Sequence, residues 1–81
     1  VPEVSRSADD AAQHATELTA RLARLADEVA DSEEKVAATY ENSARLRPHA
    51  AERLQGAAQE ARAFAERERE QGRRLREQHE R

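Results

Sequence analysis

Along the first half of the chain, apolar residues recur at alternating spacings of three and four. One series takes Ala8, Ala15, Leu22, Val29, Val36 and Ser43, and a second takes Ala11, Leu18, Leu25, Ser32, Thr39 and Leu46. Alternation of this kind is the signature of a helix that presents a narrow stripe to a neighbouring helix. The stripe is densest from Leu18 to Val29 and thins at Ser32. Asp31-Ser32-Glu33-Glu34 has the composition to cap a fresh helix, but an unbroken helix is the preferred reading.

The ends of this first helix are marked by local chemistry. Residues 1–6 contain Pro2 and no periodicity and read as a flexible lead-in. Ser7 reads as an N-cap, with Asp10 supplying a variant of the capping box and Asp9 and Asp10 favoured by the helix dipole. Pro48 lacks a backbone N–H and pushes Arg47 out of the helical region, yet suits the first turn of a new helix. Helix one is therefore expected over about 7–46, the turn near 46–49 and helix two over about 48–80, with the whole hairpin spanning 7–81. So short a connection makes the helices antiparallel neighbours.

Helix two continues the spacing through Ala50, Leu54, Ala57, Ala61, Phe64, Glu68, Gln71, Leu75 and Gln78. Aligned antiparallel, Leu18 faces Leu75, Val29 faces Phe64 and Val36 faces Ala57. The predicted interaction seam is Leu18, Leu22, Leu25, Val29, Val36, Leu54, Ala57, Ala61, Phe64 and Leu75. Beside it, Ala51, Ala58, Ala65 and Gly72 recur every seven residues and are small enough to let another helix approach closely. They form a candidate second interface, matched on helix one by Ala12, Ala26 and Tyr40.

Composition sharpens this picture. The chain has 81 residues, 37% hydrophobic and 38% charged, and 18 of its residues are Ala. That is enough chain for one domain, rich in strong helix formers and poor in the β-branched residues of strands. The predicted fold is all-α: an antiparallel, coiled-coil-like two-helix hairpin. A seam made largely of Ala buries little apolar area for the chain it orders. Two hairpins are therefore expected to pair into a four-helix bundle, as a homodimer, or else a helical partner protein supplies the missing helices.

Charge supports the hairpin. Residues 1–46 carry a net −5 and residues 47–81 a net +2, for −3 overall. Within helices, Glu17/Arg21, Asp31/Lys35, Glu41/Arg45, Glu70/Arg74 and Glu77/Arg81 have the favourable acid-first order, worth about 0.2–0.5 kcal/mol each.

Candidate chemistry is sparse. Cys is absent, which excludes thiolate chemistry. His14 and His79 fall at one level of the alignment but on opposite sides of the seam, and no His pair has helical metal-ligand spacing. Acid pairs such as Glu66/Glu70 lie in charge-rich helices without the shielded pocket that acid–base catalysis needs. No nucleophile–His–acid set and no Gly-rich phosphate loop occurs. The sequence thus predicts no enzyme, no catalytic residues, no cofactor and no metal site. Arg67, Arg69, Arg73, Arg74, Arg76 and Arg81 invite phosphate, but Glu66, Glu68, Glu70, Glu77 and Glu80 interleave with them and no aromatic stands ready to stack on bases. A nucleic-acid-associated role for this Arg-rich helix is the alternative reading. No run approaches the ~18 apolar residues of a membrane span, and the stripe lacks the bulk of a membrane-surface helix. The chain opens on Val1, reads as a fragment or trimmed ordered region, and is assigned to the cytoplasm. The expected function is a non-enzymatic helical protein–protein interaction module with a structural, adaptor or assembly role.

Overall fold

A computed structural model of the chain describes the backbone of residues 2–80 and the side chains of residues 6–78. Helix α1 runs Pro2–Leu46 and helix α2 runs Ala51–Glu80, joined through a 3-10 turn at Pro48–Ala50. The two helices pack against each other along a rod of 71 × 16 × 12 Å. This is an all-α hairpin, with no strand among the described residues. Helix α1 passes unbroken through Asp31-Ser32. It begins at Pro2, so Ser7 lies within the helix and is not its cap. A proline near a helix start costs nothing there, because its missing N–H would have had no intrahelical partner.

The turn is built by Pro48 and uses no glycine. Arg47 leaves the helical region at φ −132° and ψ 77°, as the pyrrolidine ring behind it demands. The Ala50 N–H then donates to the Arg47 carbonyl at 2.9 Å, and the Ala51 N–H donates to Pro48. These bonds tighten the chain into the start of α2.

The helices meet on alanine. Ala23, Ala26, Ala30, Ala37 and Ala44 are buried on α1, and Ala58, Ala61 and Ala65 on α2, with no buried polar or charged residue and no large side chain fully enclosed among the described residues. Ala37 clusters with Ala58 and Ala61. At Gly72 a side-chain carbon would sit 3.4 Å from the Ala23 carbonyl oxygen, so the two backbones run close together here. These contacts fix one register. It sets Ala23 beside Gly72 and Ala37 beside Ala58, and by the same spacing brings Ala30 level with Ala65 and Ala44 level with Ala51. Small residues every seven positions on both helices let the axes approach to the short end of the usual 8–10 Å range. Because α1 is the longer helix, its first stretch runs past α2, and residues 6–15 are all exposed.

This seam corrects the one expected from the sequence. Ala37 clusters with Ala58 and Ala61, where the expected pair was Val36 with Ala57. Of the residues assigned to the seam, Leu18, Leu22, Leu25, Val36 and Phe64 are exposed. Val29, Leu54, Ala57 and Leu75 are half-buried, and Ala61 is buried. The stripe assigned to a second interface is the real seam on α2: Ala58, Ala65 and Gly72 are buried and Ala51 half-buried. The physical reason lies on α2. Its larger-residue stripe carries Glu68 and Gln71, so packing leucines against it would bury polar groups without partners. The alanine stripes bury none.

Two substitutions report on this seam in opposite directions. Ala65 is 0% exposed, so Ala65→Leu should overpack the interface and lower unfolding free energy by about 1–3 kcal/mol. Gly56 has nothing within 4 Å of a built side-chain carbon, so Gly56→Ala should raise stability by about 0.5–1 kcal/mol through helix propensity alone. Denaturant melts of both variants against the parent check the pair.

Candidate interaction surface

The two edges of the alanine seam differ in chemistry, because the residues flanking it differ. On one edge, α1 presents Asp27, Glu34 and Glu41 every seven residues, and α2 presents Arg62, Arg69 and Arg76 every seven residues. The register joins them rung by rung. Arg76 bonds Asp27, Arg69 bonds Glu34 at 3.0 Å, and Arg62 bonds Glu41. Arg69 also reaches Asp31 at 3.3 Å, and Arg62 approaches Glu34 at 3.8 Å. The hydrogen bond to Glu34, more than any other contact, raises the Arg69 pKa above its ordinary value. Asp31 and Glu41, expected to serve Lys35 and Arg45 along α1, are thus engaged across the hairpin.

These rungs are part-exposed, so water and salt screen them and each contributes little to stability. Their larger effect is on register. Sliding one helix along the other would disturb all three pairs together.

The other edge carries the exposed apolar side chains, set among charged and polar ones. Leu22, Leu25, Ala26 and Val29 of α1 and Leu75 of α2 line one groove, with Glu68 and Gln71 beside them. Further toward the turn, Tyr40, Ala57, Ala61 and Phe64 line a second groove, rimmed by Glu33, Glu60 and Arg67. Leu22 and Leu25 are 53% and 54% exposed, and Leu18, Val36 and Phe64 are exposed with them. The Arg67 guanidinium sits 5.7 Å from the centre of the Phe64 ring, a cation–π contact at the groove's border. A row of large apolar side chains left in water beside a seam of alanines is the most distinctive surface of the molecule. Ser43, counted with the expected seam, is half-buried, while Ser32 and Thr39 lie on the exposed outer side of α1, where the Thr39 hydroxyl donates to the Lys35 carbonyl.

Chemistry expected elsewhere finds little geometry. Among the described residues, no three His, Asp or Glu groups gather as a metal site would require. The side chain of His79 lies outside them, as does Arg81 with its expected Glu77 pair. No described helix is long and apolar enough to cross a membrane. In the Arg-rich segment, Arg69 and Arg76 belong to the ladder, and Arg73 and Arg74 both pair with Glu70. Arg67 instead lies over the Phe64 ring.

Compared with protein-family models, with curated proteins and with solved structures, the chain matches none.

The Glu70 cluster gives a pH test. Its hydrogen bond from Arg73, aided by the charges of Arg73 and Arg74, holds the Glu70 carboxyl below its ordinary pKa. A depressed folded-state pKa means support that is full above the unfolded value and lost as pH falls through the folded one. Carboxyl-carbon NMR titration should show Glu70 ionising at lower pH than an unpaired glutamate. In Arg73→Ala its midpoint should move back up toward the ordinary value.

Proposed function

We propose that this chain is a non-enzymatic interaction module whose apolar edge receives other helices. One observation carries the reading: Leu18, Leu22, Leu25, Val36 and Phe64 are exposed in line, although the hairpin has a seam of its own that alanines fill. About half of each side chain is still in water, so covering it gains on the order of 1 kcal/mol each, and apolar patches of a few hundred Å² are often sites of association. The ladder edge is the opposite case. Its ions are already paired, and desolvating them would cost more than it returns. The module is therefore one-sided. That geometry supports a structural, adaptor or assembly role, in which the helices of a second molecule would complete a bundle around the exposed leucines.

The same partition weighs against the nucleic-acid alternative, because Arg69, Arg73, Arg74 and Arg76 are held by Glu34, Glu70 and Asp27, and Arg67 lies over the Phe64 ring.

A photo-crosslinking residue placed in the full chain tests the edge directly in the native host. At position 25 it should give discrete protein adducts, whether with a second copy or with a different protein. At position 73, on the charged side, it should give few. Equal labelling from both positions, or no adducts from position 25, would refute the one-sided module.

A further inference from the structure

Taking the apolar edge as a docking surface, we infer that its occupant is a second copy of this chain, laid face to face and end to end reversed, to make a four-helix bundle with a two-fold axis at Phe64. The inference rests on that docking reading and adds three observations to it.

The first is that the edge is self-complementary about its middle. In the register set by Ala37 and Ala58, Phe64 lies level with Asp31. Along α1, Leu22 and Tyr40 are equally far to either side of that level, and Leu25 and Val36 are within a residue of being so. Along α2, Leu54 and Leu75 flank Phe64 in the same way. A two-fold axis across the rod at Phe64 stacks α1 on the partner's α1 and α2 on the partner's α2, each pair antiparallel. Leu22 then meets the second copy's Tyr40, Leu25 its Val36, and Leu54 its Leu75. An isologous contact requires this kind of symmetry.

The second is charge. Glu60 and Arg67 both rim the groove, one on each side of Phe64. The crosswise axis sets each copy's Arg67 within a residue of the other's Glu60, forming the pair twice, and brings Glu68 to the same level, where the Arg67 charge offsets it. The alternative axis, along the rod, stacks α1 on α2. It would lay Glu68 and Gln71 of one copy over Leu25 and Val29 of the other and would not bring Arg67 to Glu60.

The third is area. The part-exposed leucines, Val36, Tyr40 and Phe64 offer on the order of 500 Å² of apolar surface per copy, so a pair would bury about 1,000 Å² from these side chains alone, the lower bound for specific association.

Sedimentation equilibrium of the full chain at tens of micromolar should give the mass of two chains. The chain lacks Cys, so introduced thiols report orientation without background. An equimolar mixture of Glu60→Cys and Arg67→Cys chains, oxidised mildly, should form the mixed disulfide. A mixture of Leu18→Cys and Leu75→Cys chains should not, because a crosswise axis holds those positions at opposite ends of the rod. Neither rim substitution touches the alanine seam, and circular dichroism of each variant confirms the helices. A mass of one chain would overturn the proposal. If position 25 nonetheless crosslinks to another protein, the docking reading stands without self-association. A dimer in which Leu18→Cys joins Leu75→Cys, and Glu60→Cys does not join Arg67→Cys, would overturn the orientation.

Discussion

Two helices can approach until their side chains touch, and the side chains that permit the shortest approach are those of Ala and Gly. In this chain they recur every seven residues on both helices, at positions that a single register brings level. The close fit of Ala37 on Ala58, and of Gly72 on the Ala23 carbonyl, follows from that coincidence. Much else depends on it. The register determines which charges meet on one edge and which apolar side chains are left on the other. Because the backbones are so near, the larger residues next to the seam cannot enter it and must point along its margins.

The two margins then do different work. On one, acids and arginines spaced like the alanines form cross-links that penalise slippage. The energy of each is small and screened by salt, but three rungs must break together for the helices to slide. On the other, leucines, Val36 and Phe64 remain in water. A buried alanine methyl contributes roughly 0.8 kcal/mol by area, so the seam alone is a thin source of stability for two long helices. The apolar margin is where the molecule still has free energy to gain, and gaining it requires other helices.

The hairpin itself was legible in the sequence, because Pro48 and the paucity of Gly leave few other ways to arrange two long helical patterns. The face on which the helices meet was less so. Helix α1 carries two overlapping stripes one residue apart: Leu22, Leu25, Val29 and Val36, and Ala23, Ala26, Ala30 and Ala37. Choosing the larger residues for the seam follows the ordinary rule that size drives burial, and here it selects the outer stripe. Two signals pointed to the inner one. The repeat Ala23, Ala30, Ala37, Ala44 matches Ala51, Ala58, Ala65, Gly72 across the hairpin. Asp27, Glu34 and Glu41 match Arg76, Arg69 and Arg62 with one constant offset from the alanine pairs. Neither is visible on one helix alone, since each is a correspondence between two helices. The start of α1 at Pro2 escaped notice because a Ser-x-x-Asp pattern resembles a cap whether or not a helix already runs through it.

The central claim is that alanines, and not leucines, separate the helices. Methyl NMR on a sample with labelled Ala, Val and Leu tests it most directly. An alanine seam requires interhelical NOEs between the methyls of Ala37 and Ala58 and between those of Ala30 and Ala65. NOEs joining Val36 to Ala57 in their place, with the Ala30 and Ala65 methyls lacking any partner across the hairpin, would contradict it.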